Sequence, residues 1–92
     1  MPLVPVFSSR FKRDLAKLEK QGKDSTKVKT AISILVAGGP LPPKYKDHSL
    51  IGEWKGCREC HIEPDWLMIY EFLEEEEVFL HRTGSHSELF GK

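Results

Sequence analysis

The run GGPLPP at residues 38–43 divides the chain into two halves with different sequence patterns. Glycine and proline packed this closely end any helix that precedes them, because proline has no amide hydrogen to donate and glycine loses the most backbone entropy on ordering. Before the run the apolar residues recur at helical spacing, and after it they fall into short strand-like runs. The sequence therefore predicts an α+β fold whose helices precede most of its strands.

The first half contains two amphipathic patterns of helical period. Phe11, Leu15 and Leu18 recur at i, i+4 and i+7 after a serine that can cap a helix. A second apolar stripe precedes the glycine and proline run, and its members are Val28, Ala31, Ile32, Leu35 and Val36. Because only a short polar link joins the two patterns, we expect a helical hairpin.

Four strands are predicted around this hairpin. LVPVF at residues 3–7 is the first, and its proline confines it to an edge or a bulge of a sheet. The other three are Trp54–Ile62, Trp66–Leu73 and Val78–Arg82, which short links should make antiparallel neighbours. The tail SHSELFGK is expected to form a short helical turn. We expect a single domain over residues 1–92, in which the N-terminal strand and the helical hairpin pack on a small antiparallel sheet.

Length, hydropathy and charge exclude several classes of protein. A chain of 92 residues can bury a modest core but has no room for a second module. No stretch approaches the ~18 consecutive apolar residues of a membrane span, and the N-terminus has the wrong order for a secretory signal. We therefore expect a cytoplasmic protein whose thiols stay reduced. A formal net charge of zero argues against a purely electrostatic nucleic-acid binder.

The charge is nevertheless uneven, since residues 1–29 hold eight Lys and Arg against three acids. Four of these basic residues form a stripe on the first predicted helix, namely Arg10, Arg13, Lys17 and Lys20. Such a stripe either solvates a helix face or contacts the phosphate backbone of a nucleic acid.

The segment CRECH at residues 57–61 matches the C-x-x-C-H pattern of covalent haem attachment and half of a zinc site. Inside a strand, however, Cys57 and Cys60 are three residues apart and point to opposite faces. We interpret them as small apolar residues packed in or beside the sheet. A zinc or haem site built from Cys57, Cys60 and His61 remains the alternative.

Three histidines are predicted to converge at one end of the sheet. His48 lies in the loop before the sheet, His61 ends a strand, and His86 opens the tail, whereas His81 lies within a strand and is interpreted as structural. Asp65 follows His61 across a turn. Groups with a near-neutral pKa can exchange protons with a substrate and its leaving group.

Arg82 lies at a strand end that can meet this patch, and a cation there would stabilise charge on phosphorus. The group types fit phosphodiester cleavage, and in RNA the substrate itself supplies the nucleophile as its 2′-OH. No metal and no other cofactor are then needed. Trp66, Phe90 and Tyr45 are candidates for stacking bases.

Two segments carry a family resemblance. YKDHSLIGEWKGCRECHIEPDWLMIY at residues 45–70 and RTGSHSELFG at residues 82–91 resemble the YafQ branch of the RelE-type bacterial toxins. The resemblance implies a ribosome-dependent mRNA endonuclease that leaves a 2′,3′-cyclic phosphate and a 5′-hydroxyl. It implies His86 as the general acid, His48 or Asp65 as the base, and His61 as the residue that positions the phosphate.

The same resemblance implies partners. A cognate antitoxin of the DinJ or RelB kind would neutralise the chain by wrapping it, and the free toxin would be monomeric. The basic helices would contact ribosomal RNA in the presence of translated mRNA. One alternative is a toxin on the same scaffold that inhibits DNA gyrase, as the ParE relatives do, and the histidine set argues against it.

Overall fold

A computed structural model describes residues 2–74 and 76–91 of the chain. Its elements in chain order are β1 Val4–Phe7, α1 Ser9–Lys20, α2 Thr26–Val36, β2 His48–Ser49, β3 Arg58–Glu63, β4 Trp66–Leu73, β5 Glu77–Gly84 and α3 His86–Phe90. The five strands form one sheet in the order β1-β5-β4-β3-β2. The α+β fold class is confirmed.

The predicted antiparallel pairing of the last three strands is confirmed, and β1 extends their sheet as a parallel edge strand, so that the sheet as a whole is mixed. Strand β1 pairs in parallel with β5, while β2, β3, β4 and β5 pair antiparallel with their neighbours. A parallel pair needs a long crossover, and here everything from α1 to β4 lies between its two strands. Strand β1 lies at an edge of the sheet and pairs on one side only. Proline, which has no amide hydrogen to donate, is tolerated in such an edge strand, as Pro5 is here.

Both helices form where the apolar spacing predicts them. Ser8 caps α1, since its Oγ accepts a hydrogen bond from the Phe11 amide at 2.9 Å. Phe11 and Leu18 of α1 are buried, as are Val28, Ala31, Ile32 and Leu35 of α2. No helix within the described ranges is long and apolar enough to cross a membrane.

The sheet has two faces of different character. Alternate residues of β4 point to opposite sides, so that Trp66, Met68 and Tyr70 join the core formed with α1 and α2. We call this side the helix face. Leu67 and Ile69 point to the other side, which we call the open face, and pack in a smaller cluster with Cys57, Leu89 and the edges of Leu50, Trp54 and Phe90.

The largest differences from the predicted strands are the start of β3 and a short strand in the loop before it. Strand β3 begins at Arg58, because residues 52–54 form a 3-10 turn. Two glycines with left-handed backbone bracket Trp54, namely Gly52 at φ +70°, which begins the turn, and Gly56 at φ +96°, which follows it. The loop around His48 contains the short strand β2, which pairs with β3. The predicted connection between the last two strands includes residue 75, which lies outside the described residues.

Candidate active site

The open face of β3 carries the centre of the candidate site. Glu59 and His61 are two residues apart and therefore share this face. Strand β2 pairs His48 with Glu59, and α3 begins at His86 on the same side of the sheet. The ring centroids of His48 and His61 are 6.4 Å apart, and those of His61 and His86 are 5.8 Å apart. Three histidines that are distant in sequence thus form one row.

Asp65 fixes the orientation of His86. Its Oδ1 accepts a hydrogen bond from the His86 amide at 3.0 Å and lies 2.6 Å from Nδ1 of the same residue. The backbone hydrogen bond from His86, followed by the bond to its ring, holds the pKa of the Asp65 carboxyl below its ordinary range. Because Nδ1 is engaged in this way, Nε2 is the ring nitrogen left for proton exchange with a substrate.

The start of α3 is itself well anchored. Ser85 and Glu88 form a capping box, in which the Ser85 hydroxyl accepts from the Glu88 amide and the Glu88 carboxylate accepts from the Ser85 amide. Glu88 also lies 2.7 Å from the Lys17 ammonium of α1. These contacts fix the backbone at the point where the chain passes from β5 into α3. The ring of His86 is therefore carried on an ordered backbone.

Glu59 is the residue of this site that sequence reasoning missed. Its side chain is 6% exposed, and its Oε1 lies 3.4 Å from His48 Nε2 and 3.5 Å from His61 Nε2. A buried carboxylate is costly unless positive or hydrogen-bonding groups surround it. Once His61 is placed on the open face, strand alternation alone assigns Glu59 to the same face, and that signal was available in the sequence.

Arg82 pairs with a carboxylate of α1 rather than with the histidines. Its guanidinium donates to Asp14 through Nε at 2.8 Å and Nη2 at 3.0 Å, which is a bidentate arrangement. The hydrogen bond to Asp14 raises the pKa of Arg82 above its ordinary value. Asp14 also accepts from the Thr83 amide at 3.2 Å. The pair holds α1 against the end of β5, which gives Arg82 a clear structural function.

The three predicted stacking residues have different surroundings. Trp66 is 1% exposed and belongs to the core of the helix face, where its Nε1 donates to Thr83 Oγ1 at 2.9 Å. A ring without a free face cannot stack on a base, so the stacking role predicted for Trp66 does not fit this position. Tyr45 is buried but borders a cleft, and Phe90 is half-buried beside another.

Two clefts border the row of histidines. The first, which we call the basic cleft, adjoins His61 and is lined by Lys27, Thr30, Lys44, Tyr45 and Ile62. The second, which we call the apolar cleft, adjoins His86 and is lined by Leu50, Ile51, Glu53, Trp54 and Phe90. The site thus offers cations beside one histidine and aromatic surface beside another. The basic cleft could accommodate a phosphate, and the apolar cleft could accommodate a nucleobase.

The basic stripe of α1 is exposed to solvent over its whole length. Its members are Arg10, Arg13, Lys17 and Lys20, and the same helix buries Phe11 and Leu18 on its other side. Lys17 contacts Glu88, so the stripe adjoins the helix that begins at His86. The cations therefore lie on the surface of the element next to the site.

Part of the site also has the composition of a metal centre. Glu59, His61 and His86 each offer a ligand atom, and these atoms lie within 4.8 Å of one another. Imidazole and carboxylate groups suit ions such as Zn²⁺. The predicted alternative set of Cys57, Cys60 and His61 does not assemble, because Cys60 belongs to the core of the helix face and Cys57 to the cluster of the open face. Burial raises the pKa of the Cys60 thiol to about 12.

Comparison with protein families and curated proteins gives one consistent result. The family model described as a bacterial toxin of type II toxin-antitoxin system, YafQ, matches residues 3–91. The mRNA interferase toxin YafQ of Escherichia coli K12 is 42% identical over 86 residues, which cover 92% of this chain and 92% of that protein. The chain and this relative are thus alike over nearly their whole lengths.

Solved structures agree with the sequence comparison. The toxin chain in a crystal structure of the E. coli DinJ-YafQ toxin-antitoxin complex superimposes with a TM-score of 0.89 at 39% identity, over 99% of this chain and 100% of that one. A metal-bound toxin from Helicobacter pylori gives a TM-score of 0.87 at 44% identity, over 98% and 100% of the two chains.

Proposed function

The chain belongs to the YafQ family of bacterial toxins of type II toxin-antitoxin systems, and from that premise we propose that it is an mRNA interferase, an endoribonuclease that cleaves translated mRNA on the ribosome. Two relatives named mRNA interferase toxin match this chain over 92% of its length. The observation that carries the proposal is the row of His48, His61 and His86 on one face, with the Glu59 carboxylate between the first two rings and the Asp65 carboxylate beside the third.

The proposed reaction needs only proton transfer and charge stabilisation. The 2′-OH of the substrate ribose loses its proton to a base and attacks the adjacent phosphorus. The bond from phosphorus to the 5′ oxygen breaks, and that oxygen takes a proton from the general acid. The products are a 2′,3′-cyclic phosphate and a 5′-hydroxyl. Because the substrate carries its own nucleophile, the protein supplies neither a nucleophile nor a covalent intermediate.

We assign the general acid to His86 and the base to His48. Asp65 is the less suitable base, because it already accepts two hydrogen bonds from His86 and its pKa is lowered by them. His48 Nδ1 lies 2.8 Å from the Lys46 carbonyl oxygen and must donate to it, which leaves Nε2 as the nitrogen that can accept a proton. His61 would position the phosphate beside the cations of the basic cleft.

Carboxylates hold the rings in place in this proposal. Asp65 fixes the ring of His86, and the Glu59 carboxylate lies between the rings of His48 and His61, 3.4 Å and 3.5 Å from their Nε2 atoms. Both are therefore positioning residues. Phe90 and Tyr45 would contact bases at the apolar and basic clefts. Arg82 would act through the position of β5 and α1 rather than on phosphorus.

We also propose the partners of this activity. The toxin of the DinJ-YafQ complex is a near-complete structural match, which supports a cognate antitoxin of the DinJ kind. We propose in addition that the free toxin is monomeric. The exposed stripe of Arg10, Arg13, Lys17 and Lys20 supports contact with ribosomal RNA, since clustered cations neutralise backbone phosphates.

The decisive experiment maps new 5′ ends on ribosome-bound mRNA after brief induction of the chain. We expect 5′-hydroxyl ends within translated codons, and we expect His86→Gln to lower the cleavage rate by about 10²–10⁴-fold, as loss of a general acid does. Ser87→Ala, at the neighbouring exposed position of α3, is the matched control and should cleave normally. Growth arrest by folded His86→Gln without such ends, together with relaxed plasmid DNA, would instead support the gyrase-inhibiting alternative.

A further inference from the structure

A second cluster of ligand-type side chains lies on the open face, away from the row of histidines. Cys57 precedes β3, Glu71 lies on β4 and His81 lies on β5. The Cys57 Sγ is 3.9 Å from Glu71 Oε1, and His81 Nε2 is 2.9 Å from the same oxygen. The three candidate ligand atoms lie within 4.8 Å of one another. The cluster shares no residue with the proposed nuclease site.

We propose that Cys57, Glu71 and His81 form a binding site for a divalent transition-metal ion, with Zn²⁺ as the best-suited ion. A thiolate, an imidazole and a carboxylate are the three ligand types that Zn²⁺ accepts most often, and a water completes the tetrahedron. The cysteine of the C-x-x-C-H motif is thus combined with residues from two other strands, and Cys60 takes no part.

The geometry needs little adjustment for such an ion. Tetrahedral Zn²⁺, with bonds of about 2.0–2.3 Å, separates its ligand atoms by roughly 3.4–3.6 Å. The distance from Cys57 Sγ to Glu71 Oε1 is 3.9 Å and must shorten slightly. The distance from His81 Nε2 to that oxygen is 2.9 Å and must lengthen by a similar amount. Both are within the freedom of side-chain torsions.

A β-bulge directs His81 into this cluster. Along the pairing of β4 with β5, Ile69 is opposite Arg82 and Tyr70 is opposite Leu80, so His81 is the extra residue that has no partner. A bulge of this kind re-aims a side chain relative to regular strand alternation. The imidazole then lies between aromatic rings, with the ring centroid of Phe79 at 4.6 Å and that of Trp54 at 5.8 Å.

The three ligands are buried enough to hold an ion, yet the site remains open enough for an ion to enter from solvent. The Cys57 residue is 6% exposed, whereas the side chains of His81 and Glu71 are 25% and 32% exposed. The thiol is therefore shielded, while imidazole and carboxylate border solvent. An ion at this position would tie the segment before β3 to β4 and β5, and it would stabilise the folded chain because the unfolded chain has no such preformed site.

The test uses Co²⁺ as a spectroscopic probe for Zn²⁺ on the purified full-length chain. A thiolate ligand gives Co²⁺ an intense charge-transfer absorption, and the Glu59, His61 and His86 group contains no sulfur. We expect a stoichiometric thiolate band that Zn²⁺ displaces, that Cys57→Ser abolishes and that the matched Cys60→Ala variant retains. Glu59→Gln, which removes a ligand of the other group, should also retain it.

His81→Gln provides the second arm of the experiment. Loss of a second-shell partner already weakens metal binding by about 10–100-fold, so loss of this ligand should weaken Co²⁺ binding at least as much. A folded wild-type chain without a thiolate band would overturn the proposal, as would a band that persists in folded Cys57→Ser. If Cys57→Ser does not fold, an unchanged affinity in His81→Gln overturns it equally. Circular dichroism of each variant establishes the folded state.

Discussion

The two faces of the sheet differ most clearly along β3, where neighbouring residues serve opposite purposes. Cys60 points to the helix face, is fully buried and packs in an apolar core. Glu59 and His61, one residue away on either side, point to the open face and bring a carboxylate and an imidazole together at 3.5 Å. The strand period of two separates apolar burial from ionisable chemistry within three residues.

This separation explains how so short a chain can accommodate the proposed active site. A small domain buries too little surface to tolerate polar groups throughout its core. Here α1 and α2 cover only one face, and the large side chains of Trp66, Met68 and Tyr70 are buried against them. Beside its smaller apolar cluster, the open face can then retain a carboxylate among histidines. Substitutions on the two faces should therefore affect different properties.

The largest expected effect is on stability and comes from the helix face. Leu80 is fully buried in the main core, so Leu80→Ala should lower the free energy of unfolding by about 2–5 kcal/mol. Ile51 is 89% exposed, and Ile51→Ala should change it by less than about 0.5 kcal/mol. Chemical denaturation of both variants measures the difference. Equal losses in the two variants would show that burial in the main core does not determine the size of the loss.

The second effect should appear in activity and come from the open face. Glu59→Gln keeps the shape of the side chain but removes the charge between His48 and His61. We expect cleavage of ribosome-bound mRNA to slow by roughly 10–10²-fold, since misplaced catalytic groups cost about that much, and the pH profile of the rate to shift. The free energy of unfolding should stay the same or rise, because an active site trades stability for function.

Glu19→Gln is the matched control for this substitution, since Glu19 is an exposed carboxylate of α1. It should leave the cleavage rate and its pH profile unchanged. A purely structural role for Glu59 would lower stability and would leave the pH profile where it was. That result would show that Glu59 on the open face contributes to stability and not to catalysis.

The sequence was most informative where one side of an element is buried. Strand β4 runs from Trp66 to Leu73, as its apolar run predicts, and the stripes of α1 and α2 are buried as predicted. The strand predicted from Trp54 instead begins at Arg58. A tryptophan favours strands, but left-handed glycines on both sides of residue 54 allow a turn there, and backbone handedness is poorly visible in a single sequence.

Some contacts between distant residues could not be predicted from sequence patterns. The parallel pairing of β1 with β5 and the ion pair of Asp14 with Arg82 join residues about 70 positions apart. The sequence pattern also could not decide between two functions of Trp66, because a tryptophan at this position suits both a ring that stacks on a nucleobase and a ring that fills the core. Its burial and its hydrogen bond to Thr83 decide for the core.

The smallest expected effect concerns the exposed end of the site. The hydrogen bonds from His86 lower the pKa of Asp65 in the folded chain, so this carboxylate stabilises the fold at a pH above its ordinary pKa of about 3.9. The contribution is lost as the pH falls from that value through the lower folded pKa. Asp65→Asn still accepts the amide hydrogen bond but carries no charge, and it should be slightly less stable than wild type at neutral pH.

Denaturant unfolding of both proteins at several pH values tests this sign. The difference in unfolding free energy between wild type and Asp65→Asn should shrink as the pH falls below about 4, and it should be smaller than the effect of Leu80→Ala throughout, because the Asp65 side chain is 68% exposed and solvent screens its charge. A difference that grows on acidification would mean that protonated Asp65 is the favoured form. The contact between Asp65 and His86 would then not depend on the charge of the carboxylate, and that charge would not stabilise the row of histidines on the open face.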